Sequence, residues 1–374
     1  MEVKKICHVT SAHPPEDGRI FRRACVSSAK AGYETYLVER GNSYDKNGVH
    51  IVGIGMPARK SRIYRMTAFA RKAYRQSLEL NADLYHLHDP ELLPYALKLK
   101  KHNKAVVFDS HENYVDQIKE KPYLPKVVAR VAAKVYDTLS RRVFAEIDGL
   151  TFAGNGETLT AFDTMCQRVV PTDNLPWKYE LYDKYDKGIS REKNTACYIG
   201  GLDEVRGLTQ CIKACYKAGC KLYLAGVFHS DAYREKVMSM AEYSCVEYLG
   251  VIDRDQVAEL LQKVEIGLCT LLDIGQYYKM INFPTKVYEY MSMAMPIIVN
   301  DSLYNVRRVK ELQIGLCVDP MDVDAYSDAI KKLMESQELR EFYGRNGRKA
   351  IDEHYSWDSA QEKLLAMYHD ILDE

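Results

Sequence analysis

Lys286 and Glu289 stand three residues apart in Asn282-Phe283-Pro284-Thr285-Lys286-Val287-Tyr288-Glu289-Tyr290-Met291, a stretch that reads as loop and then helix. With its φ preset and no N–H to satisfy, Pro284 suits the first helical position, and Pro296 should stop the helix about three turns later. A helix start leaves backbone N–H groups turned toward an anion such as a diphosphate, and Lys286 would add charge there. Spacing alone leaves two readings of the pair open, a ligand site or a solvated face. A second candidate is Gly200-Gly201-Leu202-Asp203-Glu204-Val205-Arg206-Gly207. Glycines after a strand let backbone approach a phosphate closely, and Arg206 can pair with it.

The first half offers His13-Pro14-Pro15-Glu16-Asp17-Gly18-Arg19, then His86, His88 and Asp89, then Asp109-Ser110-His111-Glu112. The first run could be turn chemistry, although a turn needs neither His13 nor Arg19. Histidine and carboxylate at two successive strand ends suit hydrogen bonding to a polyhydroxyl substrate, or a proton shuttle. The alternative is a metal site or a satisfied structural histidine network. Strand alternation is expected to leave only one of His86 and His88 facing the cleft, and no metal is expected.

The elements that must position these residues repeat one plan. Lys5–Thr10 is a strand, followed by loop, a helix ending at Gly32 and the strand Thr35–Val38, the order of a parallel α/β sheet with ligands at the carboxyl ends of its strands. Residues 169–177, with two prolines, interrupt the pattern and mark a domain boundary. The plan then restarts with strands at 195–199, 222–226, 246–250, 266–270 and 296–299. No G-x-G-x-x-G opens either half, so a dinucleotide-dependent dehydrogenase loses its main support.

At 374 residues the chain exceeds one ordinary domain, and 52 basic against 52 acidic residues leave no global charge of the nucleic-acid-binding kind. Basic residues do cluster locally, at 57–80 (Arg59 to Arg75, with Tyr64, Phe69 and Tyr74 between them) and at 126–142. Such elements either meet an anionic membrane or acidic ligand, or are solvated helix faces with the aromatics packed inward. The ten cysteines show neither C-x2-C pairs nor matching histidine spacing, which implies a reducing cytosol without zinc or disulfides. The N-terminus reads as a strand rather than an export signal, and no apolar run is long enough to span a membrane.

Taken together, Gly200-Gly201 with Arg206-Gly207, Tyr248-Leu249-Gly250-Val251 and Pro284-x-Lys286-x-x-Glu289-Tyr290-Met291 resemble the GT-B glycosyltransferases of family 4, or group 1, over nearly the whole chain. His13-Pro14-Pro15-x-Asp17-x-Arg19-Ile20-Phe21, His88-Asp89-Pro90-Glu91-Leu92-Leu93 and Asp109-Ser110-His111-Glu112 resemble a branch working in bacterial surface-polysaccharide assembly. The resemblance implies two Rossmann-like, doubly wound α/β domains with a cleft between them: 1–175 for the acceptor, 176–355 for the nucleotide sugar, and a C-terminal helix, 356–374, packing back on the first.

It further implies Glu289 on the ribose hydroxyls, Lys286 and Arg206 near the diphosphate, and Gly200 and Gly201 as the glycine loop. Val251 and Ile252 fall beside the base and His111 at the transfer centre, while His13, Asp17, Arg19, His88 and Asp89 fall on the acceptor side. Two departures stand out. The first glutamate of the family's E-x7-E motif falls on Ile281, which leaves donor-sugar recognition to backbone amides or to Asn282, with Phe283 beside it. The loop arginine preceding Arg206 is replaced by Gly201.

The implied reaction is retaining transfer from a nucleotide sugar, a UDP-sugar foremost, to a saccharide or lipid-linked acceptor. Positive charge would stabilise the departing diphosphate without a metal or other cofactor. Expected partners are those substrates and an anionic membrane surface, not nucleic acid, and the expected place is the cytoplasm, peripheral on the inner membrane face. The alternatives are a nucleotide-sugar epimerase of the same fold and a catalytically silent binding or scaffold protein.

Overall fold

The computed structural model describes residues 3–59, 61–110, 114–119, 125–153, 165–274, 278 and 282–373. They form two units: Met1–Asn174 together with Ala360–Glu374, and Leu175–Ser359. The helix Trp357–Leu372 therefore starts in the second unit and ends in the first.

The first unit is built on β1 (Lys5–Val9), β2 (Glu34–Glu39), β3 (Tyr44–Lys46), β4 (Val49–Gly53), β5 (Leu84–Leu87), β6 (Ala105–Ser110), β7 (Gly149–Phe152) and β8 (Val169–Pro171). Their order in the sheet is β3-β4-β2-β1-β5-β6-β7-β8, parallel except where β3 meets β4. Strands β5 and β7 are buried on both faces, as parallel strands covered by helices must be. Chain order reverses between β1 and β5, and a crevice opens at such a point beyond the carboxyl ends.

The second unit has six parallel strands: β9 (Thr195–Ile199), β10 (Lys221–Ala225), β11 (Val246–Gly250), β12 (Ile266–Cys269), β13 (Ile297–Asn300) and β14 (Gly315–Val318). Their order is β11-β10-β9-β12-β13-β14, so here the reversal lies between β9 and β12. The helix Leu208–Ala218 buries Leu208, Cys211, Ile212 and Cys215, the inward set that its spacing indicates. Fully burying a side chain of leucine size contributes roughly 1.5–3 kcal/mol. The helix Arg254–Lys263 begins with a capping box between Asp253 and Gln256.

The helix carrying Lys286 differs from expectation at both ends. Pro284 is the residue before the helix, with ψ at 146°, and Thr285–Ser292 spans only eight residues. The chain leaves the helix through Ala294 at φ 52°, short of Pro296. Packing explains the early stop. A Cβ on Gly344 would lie 2.3 Å from the Ala294 carbonyl oxygen and one on Gly347 would lie 3.3 Å from Met291 Cα, so the helix Gln337–Glu353 docks closely against the exit. Every residue from Lys286 to Ser292 is buried, which removes the solvated-face reading of Lys286 and Glu289.

Candidate functional site

Two loop clusters, one at each reversal point, hold most of the residues singled out by chemistry. In the first unit, Arg19 spreads its guanidinium over Asp109, with Nε 2.9 Å from Oδ2 and a terminal nitrogen 2.6 Å from Oδ1, and donates also to Thr172. Asp109 accepts in addition from Thr151 and contacts His88 Nδ1 at 3.1 Å. His88 Nε2 lies 3.0 Å from His8 Nδ1, and His86 lies between Tyr368 and Thr151. Burial, then the neighbouring His86, push the His8 pKa well down, which keeps that imidazole neutral.

This network corrects the alternation argument. Residues two apart on a strand share a face, and the rings of His86 and His88 lie 4.3 Å apart on one side of the sheet. With His8 they bring ring nitrogens within 4.8 Å of one another, a grouping that suits a metal. Those nitrogens, however, already meet Ser28, Thr151, Tyr368, Asp109 and each other. The arrangement is that of a cross-bonded core.

Asp89 organises the turn after β1. Its Oδ2 accepts from the Thr10 hydroxyl at 2.9 Å and from the backbone N–H groups of Ser11 and Ala12 at 2.5 and 3.0 Å. Its Oδ1 lies 2.9 Å from His13 Nδ1, close enough for strong charge attraction. Because Thr10 spends its one proton on Asp89, the 3.2 Å contact between Thr10 Oγ1 and His13 Nδ1 requires the histidine to donate. Burial opposes charging His13, but the Asp89 carboxylate outweighs it and raises the pKa; that carboxylate itself is held down at about 2 despite its burial. Asp17 caps the following helical turn by accepting from the N–H groups of Arg19 and Ile20. Arg19 and Asp17 are thus engaged inside the protein, whereas His13 is partly exposed. His111 lies outside the described residues, and so does Ile281.

The second cluster is built differently. Gly200 and Gly201 follow β9, and Gly200 holds φ at 132°. A Cβ on Gly200 would lie 3.1 Å from Lys286 Nζ. That ammonium sits 3.6 Å above the centre of the Tyr198 ring and has no hydrogen-bond partner among the described residues. Burial lowers the Lys286 pKa to about 8, with the nearby Arg206 adding to the effect. Arg206 stands beside Gly201, its Nε 3.2 Å from a Cβ placed there and 3.1 Å from Asp203 Oδ2. Two glycines thus lie open to ligand approach between a lysine and an arginine, a donor set for a doubly charged anion.

Glu289 does not pair with Lys286. It meets Arg254 at 2.6 Å, and Arg254 also reaches Glu180 at 3.2 Å. Arg254 opens the helix that follows Val251 and Ile252, so the ion pair ties that segment to Glu289. Val251 is exposed; Phe283 is buried among Tyr288 and Tyr304, with Asn282 half-buried beside it. Sequence reasoning missed Arg254 and His229, the latter in the loop after β10. The carboxyl-end rule that singled out Gly200 would have singled out His229 as well.

In the basic segments, Phe69 is buried, Tyr64 and Tyr74 pack against the core, and Tyr74 stacks on Tyr95 at 4.6 Å. These aromatics therefore supply no apolar contact for a membrane. Exposed apolar side chains occur instead at Ile63 and Met66 and, at helical spacing, at Val127, Val131 and Val135 of the helix Lys126–Phe144. No helix among the described residues is long and apolar enough to cross a membrane.

Residues 183–350 match the family model described as Glycosyl transferases group 1. The capsular polysaccharide biosynthesis glycosyltransferase CapM of Staphylococcus aureus is 24% identical over 206 residues, which cover 52% of this chain and 50% of that protein. The chain thus spans about half the length of the curated relatives first matched. Among solved structures, a sucrose-phosphate synthase from Thermosynechococcus elongatus superposes with a TM-score of 0.76 at 14% identity, covering 99% of each chain. A trehalose-6-phosphate protein of E. coli, bound with UDP-2-fluoro glucose, does so at 0.69 and 14% identity, again over 99% of each. The fold is that of the GT-B glycosyltransferases, two α/β units with parallel sheets.

Proposed function

We propose that the chain is a group 1 glycosyltransferase that moves a sugar, with retention, from a UDP-sugar to a saccharide or lipid-linked acceptor in polysaccharide or glycoconjugate assembly. The observation that carries this reading is Lys286, an ammonium buried without a hydrogen-bond partner among the described residues beside the Gly200-Gly201 backbone. An unpartnered buried charge is costly, and a diphosphate oxygen would relieve that cost. As the bond from the anomeric carbon to the diphosphate breaks, negative charge grows on the leaving oxygens, and Lys286 and Arg206, both beside the glycine loop, would stabilise it. Glu289, held by Arg254, would accept the ribose hydroxyls, with Val251 and Ile252 beside the base. His13, oriented by the buried Asp89, would meet the acceptor, and His111 is assigned to the transfer centre by resemblance alone. The capsular-polysaccharide relative and the UDP-sugar in the E. coli neighbour agree with this reading.

Incubation with labelled nucleotide sugars and a panel of saccharide and lipid-linked acceptors tests it. Transfer or hydrolysis supports a transferase, sugar interconversion without an acceptor would identify an epimerase, and binding without turnover a scaffold.

A membrane-bound acceptor would place the first unit against an anionic surface. Supporting this are the exposed Val127, Val131 and Val135, flanked by exposed Lys126, Arg130 and Lys134. Salt-reversible sedimentation with anionic vesicles is expected, and equal recovery in the supernatant under every condition would defeat the idea.

A further inference from the structure

The geometry points to His229 as a third hydrogen-bond donor to the diphosphate of the donor, an assignment that rests on the proposed nucleotide-sugar site. The loop after β10 is interlocked with the glycine loop after β9. Leu202 N–H donates to the Val227 carbonyl at 2.9 Å, and His229 N–H donates to the Leu202 carbonyl at 3.4 Å. Contact is so close at Gly226 that a Cβ there would fall 1.7 Å from the Gly200 carbonyl oxygen. Nothing but glycine fits, and the backbone fixes where His229 starts.

From that start the imidazole reaches over Gly201. A Cβ on Gly201 would lie 2.8 Å from His229 Nε2 and 3.2 Å from Arg206 Nε, so the two side chains share the space that glycine leaves open. Lys286 Nζ stands at the equivalent distance from the neighbouring glycine, 3.1 Å from a Cβ on Gly200. Three nitrogen donors on three separate elements therefore converge on two consecutive glycines.

His229 also differs from the buried imidazoles of the first unit. His8, His86 and His88 are enclosed and bonded to one another, whereas His229 is exposed at a loop edge and builds no core. A diphosphate spreads its acceptor oxygens over two phosphoryl groups, and donors arriving from three separate elements can meet both groups from different sides.

The test uses the full chain and calorimetric titration with UDP and GDP, taking the tighter ligand forward beside its bare nucleoside. His229→Ala is expected to weaken the nucleoside diphosphate about tenfold while the nucleoside changes less than twofold and the melting temperature holds. His229→Asn, which keeps an N–H donor, should recover part of the loss. His229→Ala combined with Gly201→Arg should recover part of it too, since the arginine would enter the vacated space. Equal losses for diphosphate and nucleoside would reduce His229 to a loop-shaping residue and overturn the assignment, as would no loss for either. If the wild-type chain binds neither diphosphate, the nucleotide-sugar reading falls and takes this assignment with it. If the wild type binds and His229→Ala binds equally well, only the assignment falls.

Discussion

The two loop clusters occupy the same topological place in their units, the reversal points β1/β5 and β9/β12, yet they hold their charges in opposite ways. In the first, the named groups bond to one another: Arg19 to Asp109 and Thr172, His88 to Asp109, and Asp89 to four donors of the turn. In the second, Lys286 is buried without such a bond among the described residues, and the backbone facing it is glycine. On the proposed function, the difference separates polar residues that set a shape from polar residues that would receive a ligand. A satisfied network rigidifies its surroundings, whereas an unsatisfied buried charge costs stability, a cost that ligand binding would relieve.

The largest effect should come from breaking the first cluster. Asp109→Ala leaves the Arg19 guanidinium buried and unpaired, and such a loss costs about 3–5 kcal/mol. Thermal unfolding should show a fall of many degrees, while nucleoside-diphosphate binding by the folded fraction persists. A small fall would mean that Arg19 finds water or another acceptor, and the contrast between the clusters would fade.

Lys286→Met should have the reverse signature. It removes a charge whose burial is unfavourable, so stability should rise, by on the order of 1–3 kcal/mol near neutral pH, while diphosphate affinity drops tenfold or more. The sign with pH follows from the lowered pKa. Between about 8 and the ordinary lysine value near 10.4 the unfolded chain binds more protons than the folded one. Wild-type stability therefore gains on the variant through that window, and denaturant titrations at pH 7, 9 and 10.5 would show the gap closing.

A smaller effect belongs to His13. Its folded pKa is raised, so the stability it contributes is complete below the unfolded histidine value near 6.5 and is lost as pH rises through the folded value. His13→Gln should be less stable than wild type at pH 5.5 and should approach it above pH 8. A constant difference would show that Asp89 does not act on His13 through charge. Asp89→Asn should lose its disadvantage only toward pH 2, since that carboxylate stays ionised down to about 2.

Much of the second cluster was legible in the sequence, because its logic is local. Glycines after a strand, a basic residue shortly beyond, and a lysine just inside a helix are patterns of spacing. What escaped was pairing across the fold. Arg254 answers Glu289 from 35 residues away, and His229 reaches Gly201 from the neighbouring loop, and no periodicity encodes either contact. The early end of the Lys286 helix was hidden for the same reason, since it depends on Gly344 and Gly347 of a later helix. In the first unit the residue types were visible but not their satisfaction. His13, Asp17, Arg19, His88 and Asp89 all read as ligand candidates, although Asp17 and Arg19 serve the scaffold. The basic segment at 57–80 misled through its aromatics, which the core claims.

The central claim is that the Lys286 ammonium is held ready for a diphosphate, and proton uptake on binding tests it most directly. At pH 8.5 a terminal phosphate, with its second pKa near 6, is already ionised and takes up no proton by itself. Lys286, at about 8 in the free protein, is then largely neutral, and pairing with the diphosphate should recharge it. Calorimetric titration of UDP in two buffers of different ionisation enthalpy should reveal net proton uptake, and Lys286→Met should abolish the uptake along with most of the affinity. Binding without uptake, at the same affinity in both proteins, would contradict the account.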